Sequence, residues 1–483
     1  MRLAELLIDA CPPAPDLEVA GLAHDTREVG PGTLVFCVPG FTRDGHDLAS
    51  EAIARGAAAL VVERALGLGV PEVVVPSVRA AMAPVAARFC GDPTARLRVV
   101  GVTGTNGKTT TAFLVRSLLE AGGLPTGLLG TVTSWVGGEQ RATVRTTPEA
   151  IELQRTFAQM LDGGDVACAM EVSSHALELR RADAIHWEVA VFTNLTQDHL
   201  DFHGSMEDYF AAKRRLFEGN PFPPALAVVN VDDARGARLA AELEPARPGA
   251  VVTTGLGEAA ALRATGVRTG LGGSSFVVDG LGEVRIPLPG AFNVANALGA
   301  IAAARALGVP DATIAAALPD AARVPGRFEA VSEGQGFAVI VDYSHTPDSL
   351  ENVLRAARAM TSGRVVCVFG CGGDRDRLKR PIMGRVAGEL ADATIVTSDN
   401  PRSEDPEAII ADVLAGVDPG RPAEAIADRR EAIERAIAIA ADGDVVVIAG
   451  KGHERGQELA GGVVVPFDDV EVAREALRGR LVA

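Results

Sequence analysis

The sequence predicts an α/β protein of three domains, and three observations carry that prediction. Short β-branched runs alternate with Ala- and Leu-rich stretches of helical period along nearly the whole chain, the pattern of parallel sheets covered by helices. The length of 483 residues corresponds to about three domains at roughly 150 residues each. Two Gly- and Pro-bearing breaks divide the chain into segments 1–95, 96–325 and 326–483: Cys90-Gly-Asp-Pro93, and Val324-Pro-Gly-Arg327, which follows a helical stretch over Val294–Ala322.

Composition narrows the function class. Lys and Arg number 46 against 63 Asp and Glu, a net charge of −17, which argues against a broad nucleic-acid-gripping surface. With 47% hydrophobic and 23% charged residues the chain has an ordinary globular composition, so disorder is not expected. Its best apolar runs, Ala57–Val62 and Val445–Ala449, are strand-sized, so no membrane insertion is expected. Glu5 and Asp9 interrupt the N-terminal apolar residues, which is wrong for a signal peptide. The six cysteines, at 11, 37, 90, 168, 367 and 371, form no CxxC pair and read as reduced thiols. A cytoplasmic enzyme is expected, monomeric because no coiled-coil signal is present.

The first segment reads as a small α/β domain. Its polar stretches, His24-Asp-Thr-Arg27 and Gly40-Phe-Thr-Arg-Asp-Gly-His46, look on composition alone like turns with solvated charges.

The second segment opens with a predicted strand, Val99–Thr103, running into Gly104-Thr-Asn-Gly-Lys-Thr-Thr110 and then a helix ended by Gly122-Gly123. Strand, Gly-rich turn and helix N-terminus make an anion site: backbone N–H groups converge, and the helix dipole adds positive potential. This predicts a central domain of P-loop NTPase type, in which Lys108 reaches the terminal phosphates and the Thr109 hydroxyl reaches Mg²⁺. The usual pattern has Gly where this chain has Val102, with glycines at 101 and 104 instead.

Further along, a strand over Val166–Val172 carries Glu171 near its carboxyl end, followed by Ser173-Ser-His175. A second strand, Val189–Leu195, leads to Gln197-Asp-His-Leu-Asp-Phe-His203. Mg²⁺ keeps several waters and needs only one or two carboxylates, a role Glu171 is placed to fill. Ser205-Met-Glu-Asp208 starts a helix on which Met206, Phe210, Lys213 and Phe217 share a face. Lys213 therefore points to the apolar side. On residues alone, a lysine extending its ammonium to the rim is the simpler reading, and a lysine held in a dry site the sharper one.

The third segment predicts a Rossmann-like domain with strands Ala338–Asp342, Val365–Phe369, Thr394–Thr397 and Asp444–Ile448. Each is followed at once by a polar signature: Tyr343-Ser-His-Thr-Pro347, Gly370-Cys-Gly-Gly-Asp-Arg-Asp-Arg377, Ser398-Asp-Asn-Pro-Arg402 and Gly450-Lys-Gly-His-Glu454. In a right-handed parallel sheet these loops emerge on one edge, where ligands bind. Arg375, Arg402, His453 and Glu454 then meet in one crevice, suited to a zwitterionic substrate. Lys451 reads equally well as a solvated loop lysine.

These motifs, in this order, resemble the Mur ligases. The resemblance spans all three segments through Gly104–Thr110, Thr146-Thr-Pro148, Glu171–His175, Asn194–Asp201, Lys213, Asn293–Asn296, Gly326-Arg-Phe-Glu329, Asp342–Pro347, Gly370–Asp376, Asp399–Arg402 and Gly450–Glu454. It implies an ATP- and Mg²⁺-dependent ligase of peptidoglycan synthesis, joining meso-diaminopimelate to the D-Glu γ-carboxyl of UDP-N-acetylmuramoyl-L-Ala-D-Glu through an acyl phosphate. The alternatives within the class are a lysine-adding relative and a folylpolyglutamate-type ligase. A nucleotide-switched binding protein is a rival from another class, but the Asn-Lys-x-Asp motif of a GTPase is missing.

By the same resemblance, segment 1–95 binds the UDP-sugar, with contacts from Thr26 and the loop Phe41, Thr42 and Arg43. Thr146, Thr147, Ser173 and Arg181 hold the muramoyl dipeptide, and Leu179 stands where the family often has Gln. Segment 96–325 binds ATP through Gly104, Thr105, Asn106, Gly107, Lys108, Thr109 and Thr110, with Asn293 and with Arg327 from the hinge. Lys213 is carbamylated in the family, which reverses the simpler reading and makes it a metal-site residue with Thr109, Glu171 and His199. Lys108, Lys213, His199 and Glu171 are the implied catalytic set. Segment 326–483 binds diaminopimelate through Arg375, Asp399, Asn400, Pro401, Arg402, Gly450 and Glu454. Arg402 gives the choice a physical reason: a bidentate arginine recognises the second carboxylate that lysine lacks. His345 is a candidate base for the incoming amine.

Overall fold

A computed structural model describes residues 1–8, 15–41, 43–219 and 221–482. The chain is mixed α/β with mostly parallel sheets, and it divides into two compact units. One comprises Met1–Thr103, Gly123–Ala190 and Ala212–Ala227; the other comprises Gly104–Gly122, Val191–Ala211 and Val228–Ala483.

The first unit begins with a four-stranded sheet in sequence order, Gly21–Ala23, Thr33–Phe36, Ala57–Val62 and Glu72–Val74. All its pairings are parallel. Leu34, Phe36, Ala59 and Val61 turn one face into a core with Val78, Met82 and Ala86 of helix Val78–Phe89. Val35, Leu60 and Val62 turn the other towards Ala49 and Ala52 of helix Ala49–Ala54. This alternation is the period of two expected of a strand covered on both faces.

In the same unit, strand Arg98–Thr103 pairs in parallel with Ala167–Glu171, which pairs in parallel with Thr126–Leu129. Gly101 lies inside the first of these strands, where a Cβ would fall 2.6 Å from the Trp187 ring. It is a packing glycine rather than part of the phosphate loop. The predicted strand over Val166–Val172 is observed as Ala167–Glu171, and the one over Val189–Leu195 begins earlier, as Trp187–Phe192.

The second unit contains helix Lys108–Ala121 and helix Ala291–Ala306, which approach closely where Gly299 faces Thr111. The helical stretch predicted over Val294–Ala322 is two helices, because Gly308-Val-Pro310 interrupts it before Asp311–Ala317. Strands Leu262–Gly270, Gly273–Val278 and Gly282–Ile286 are an antiparallel addition that the reading of parallel sheets passed over.

The last part of this unit is a six-stranded sheet in the order Glu329–Val331, Ala338–Asp342, Val445–Ala449, Val365–Phe369, Ala393–Val396, Ala423–Ala425. Only Glu329–Val331 runs antiparallel. Ile340, Cys367, Phe369 and Val447 face one core; Val341, Val366, Val368 and Ile448 face another. Such two-sided burial explains the near-continuous apolar runs in the sequence. The predicted strand Thr394–Thr397 is displaced one residue, and Asp444–Ile448 is observed as Val445–Ala449. No helix among the described residues is long and apolar enough to cross a membrane.

Candidate functional site

In the second unit the phosphate loop is held from several sides. Gly107 is the N-cap of helix Lys108–Ala121 at φ 86°, and a Cβ there would meet Asn296 Oδ1 at 2.2 Å. Gly104, at φ 152°, faces Thr193 Oγ1, 1.8 Å from where its Cβ would stand. Both positions therefore need glycine for conformation and for space. Lys108 Nζ donates to the carbonyls of Gly104 and Thr105, each at 2.9 Å. Asn106 N–H donates to Asn194 Oδ1 at 2.9 Å, and its side-chain amide donates to Asp348 Oδ2 at 2.7 Å. Burial raises the Asp348 carboxyl above its ordinary value.

Thr105 Oγ1 lies 3.2 Å from the Tyr209 hydroxyl, and Thr109 and Thr110 are buried at the helix start. The Arg327 guanidinium stacks over the Tyr343 ring at 4.3 Å, and its Nη2 donates to Thr109 Oγ1 at 3.3 Å. Asn293 is also buried, with its amide donating to the Pro289 carbonyl and its Oδ1 accepting from Asn296. It thus supports Asn296, which backs Gly107. Thr193, Tyr209 and Asp348 had no signal in the sequence, since nothing in their spacing ties them to the loop.

Of the acid and histidine cluster, the structure brings Asp198 and His199 together and leaves Asp201 exposed. Asp198 Oδ2 lies 3.3 Å from His199 Nε2 and 4.0 Å from His345 Nε2. Burial pushes Asp198 up, but His199, His345 and Lys379 outweigh it and hold the carboxyl below its ordinary value. His203 is turned inward against Tyr209, with ring centroids 5.0 Å apart, so it reads as a packing residue. His345 Nδ1 lies 2.8 Å from the Tyr343 carbonyl, which can only accept, so Nδ1 carries the proton and Nε2 the lone pair. Burial, with Lys379 nearby, lowers the His345 imidazole.

The expected loops do emerge at the carboxyl edge of the six-stranded sheet. Lys451, read from sequence as equally a solvated loop lysine, is fully buried. Its ammonium donates to Asn400 Oδ1 at 2.8 Å and lies 3.1 Å from Glu454 Oε2 and 3.5 Å from Asp399 Oδ1. The Asn400 amide donates to Glu454 Oε2 at 2.9 Å, so Glu454 is already a partner to two groups. Gly450 packs against Asp399, and Pro401 closes on Gly373. Arg375 is exposed, its Nη1 donating to the Asp374 carbonyl at 2.9 Å. Arg402 is in the left-handed region at φ 51°. Its Nε donates to Glu458 Oε2 at 2.7 Å and its Nη1 to the Gly373 carbonyl at 2.8 Å. Glu458, outside every motif, was missed.

In the first unit, Glu171 is buried and accepts from Thr131 N–H at 2.7 Å and Thr131 Oγ1 at 3.1 Å. Thr131 Oγ1 is 3.0 Å from Thr146 Oγ1; Thr147 Oγ1 donates to the Glu171 carbonyl at 2.9 Å and accepts from Ser173 N–H at 3.1 Å. Arg181 Nε lies 2.8 Å from Glu149 Oε1, and burial lowers its guanidinium. Arg181 Nη1 also donates to the Thr147 carbonyl at 3.4 Å, so Thr146, Thr147, Glu171, Ser173 and Arg181 are one connected group. Thr131, which bridges Thr146 and Glu171, and Glu149, which pairs with Arg181, were missed by sequence reasoning. Beside it, His24, Asp25, Arg27, Leu129, Arg145 and Glu152 help line a cleft of about 400 Å³. Thr26 lies in the 3₁₀ turn Thr26–Glu28. Phe41 is 80% exposed and Arg43 is exposed; Thr42 lies outside the described residues.

Lys213 is 1% exposed on helix Met206–Glu218, so it does not extend its ammonium to the rim. A hard cation such as Mg²⁺ takes oxygen donors, and the buried Glu171 carboxylate of the first unit is of that kind, so its donor chemistry fits.

Residues 18–90 match the Mur ligase family catalytic domain, 102–304 the Mur ligase middle domain, and 326–452 the Mur ligase glutamate ligase domain. A Geobacillus thermodenitrificans protein named UDP-N-acetylmuramoyl-L-alanyl-D-glutamate–2,6-diaminopimelate ligase is 49% identical over 472 residues, 96% of each chain. A solved structure bearing the same name superposes with a TM-score of 0.71 at 36% identity, covering 100% of both chains. The MurF ligase of Thermotoga maritima, solved in complex with ADP, shares the fold at a TM-score of 0.64 and 19% identity, covering 95% of this chain and 97% of its own.

Proposed function

The chain belongs to the Mur ligase family, and from that premise we propose that it adds meso-diaminopimelate to UDP-N-acetylmuramoyl-L-alanyl-D-glutamate. It is an ATP-dependent, amide-forming ligase of peptidoglycan synthesis. The observation that carries the amino-acid choice is Arg402, held at the mouth of the Asp399–Arg402 loop with a guanidinium nitrogen, Nη2, that hydrogen-bonds to none of the described residues. A second carboxylate on the substrate completes that arginine; a lysine substrate leaves it without its partner, a penalty of roughly 2–5 kcal/mol in a dry pocket.

In this reading segment 96–325 binds ATP, with the loop amides, Lys108, Asn293 and Arg327 orienting it. Thr26, Phe41, Thr42 and Arg43 in segment 1–95 take the uridine nucleotide, while Thr146, Thr147, Ser173 and Arg181 take the dipeptide. Segment 326–483 takes diaminopimelate through Arg375, Asp399–Arg402, Gly450 and Glu454. Thr109, Glu171, His199 and the Lys213 carbamate would hold Mg²⁺, which neutralises charge on the phosphates when bound.

The D-Glu γ-carboxylate attacks the γ-phosphorus of ATP, forming an acyl phosphate and releasing ADP. The diaminopimelate amine then attacks the acyl carbon and phosphate leaves. Alignment and charge neutralisation account for most of the rate, since the chemistry needs little covalent help. The amine must arrive deprotonated, and His345, neutral with its lone pair on Nε2, suits that task. The reading carries a cytoplasmic location and action as a monomer on small-molecule substrates.

The test is phosphate release from MgATP with the UDP-muramoyl dipeptide, comparing meso-diaminopimelate, L-lysine and no amino acid. Release that requires diaminopimelate, with a tripeptide product by mass, is expected. Equal release with lysine sinks the selectivity argument and keeps the ligase; release without any amino acid points to a nucleotide switch.

A further inference from the structure

Strand Gly456–Glu458 and its antiparallel partner Val464–Pro466 form a two-stranded hairpin, separate from the large sheet. The hairpin is joined to the Ser398–Arg402 loop residue by residue. Gln457 Nε2 donates to Ser398 Oγ at 3.3 Å, and Glu458 N–H donates to Asn400 Oδ1 at 2.9 Å. Arg402 N–H donates to the Glu458 carbonyl at 3.1 Å, and Arg402 Nε to its carboxylate at 2.7 Å. Glu458 thus grips Arg402 by backbone and side chain at once.

That double grip matters because of what Arg402 is. Its φ of 51° is a conformation a non-glycine residue adopts only when its surroundings impose it. Nε is taken by Glu458 and Nη1 by the Gly373 carbonyl, which leaves Nη2 without a hydrogen-bond partner among the described residues. A free arginine samples many rotamers, and ordering it on substrate binding costs affinity. With two donors anchored, the planar group is ordered before substrate arrives.

We propose that Glu458 is a positioning residue for selection of the amino-acid substrate: it preorganises Arg402 so that Nη2 is presented to a second carboxylate. This rests on the proposed diaminopimelate reaction and names a residue that acts through Arg402 rather than on the substrate. Two effects compete. Glu458 also neutralises part of the arginine's charge, so removing it would strengthen carboxylate binding if charge outweighed geometry. The bond count favours geometry, because the side chain and backbone of Glu458 hold the same residue.

The experiment measures kcat and KM for meso-diaminopimelate, L-lysine, ATP and the UDP-muramoyl dipeptide in wild type, Glu458→Ala and Glu458→Gln. The alanine variant should raise the KM for diaminopimelate on the order of tenfold or more, the size of a hydrogen bond to a charged group. KM for ATP and the dipeptide, and any turnover with lysine, should not move. The glutamine variant keeps an oxygen acceptor for Nε and should recover most of the loss. A KM for diaminopimelate that is unchanged or lower in Glu458→Ala, beside an active wild type, overturns the positioning role alone. A wild type that does not use diaminopimelate overturns the reading beneath it, and the role with it.

Discussion

Arg327 reaches across 218 positions of sequence to place Nη2 3.3 Å from Thr109 Oγ1, at the first turn of the phosphate-loop helix. The hydroxyl it contacts is the one proposed for Mg²⁺. Loading of MgATP must therefore redirect this arginine, and the nearby phosphates are its natural new partner. Arg327→Ala is expected to lower turnover on the order of 10²-fold and to weaken ATP binding, with the KM for diaminopimelate unchanged. Initial rates at varied ATP check this; an unaltered ATP dependence would remove Arg327 from the nucleotide site.

Gly104 is expected to tolerate no side chain. A Cβ there would fall 1.8 Å from Thr193 Oγ1, and that hydroxyl already donates to the Asn106 carbonyl at 2.6 Å. Gly104→Ala should displace the loop and abolish detectable nucleotide binding while the N-terminal sheet remains intact. Titration with a fluorescent ATP analogue, alongside circular dichroism, separates a lost site from a lost fold.

Lys213 should not accept arginine. Its side chain is 1% exposed, and the proposed role needs an amine that can take up carbon dioxide and become an anion. Both Lys213→Ala and Lys213→Arg are expected to lose at least about 10²-fold in turnover. An active arginine variant would mean that the position needs a cation. Intact-protein mass of the wild type, measured with and without added bicarbonate, reads the carbamate directly.

Stability should fall below neutral pH through His453. Burial, with Arg327 and His345 adding repulsion, pushes its imidazole from 6.5 down to about 4. The unfolded chain takes up this proton near pH 6.5 and the folded chain near 4, so the folded state loses ground as pH falls between them. The full effect is about 3 kcal/mol. Between pH 7 and 4.5 the melting temperature of His453→Gln should therefore drop less than that of wild type; parallel curves would assign the acid sensitivity elsewhere.

The Arg429–Asp469 pair should be essential to the amino-acid edge. Both side chains are fully buried, and Arg429 also donates to the carbonyls of Ser398 and Ala449, where two motif loops begin. Asp469→Ala leaves a buried guanidinium unpaired and is expected to cost about 3–5 kcal/mol. Thermal unfolding measures it, and an unchanged melting temperature would count against the pair.

Much of this molecule can be read from the order of its residues. The phosphate loop, the four loops of the last sheet and the Asp399–Arg402 motif are local patterns, because strand, turn and helix are each specified by neighbours a few positions apart. Element ends were less legible: Gly308-Val-Pro310 splits one predicted helix in two, and the antiparallel strands between 262 and 286 were passed over. Gly101 looked like part of the loop until the Trp187 ring explained it.

What no local pattern reveals is which side chain answers which. Lys451 reads equally well as a solvated loop lysine until the sheet edge brings it Asn400, which accepts its hydrogen bond, and Glu454, which offsets its charge in the interior. Asp348 and Asn106 meet across 242 positions, and Arg402 and Glu458 across 56. Propensity and periodicity act over a turn or two of backbone, so they specify elements and loops. Burial and pairing of charge depend on distances in space, and those exist once the elements have packed.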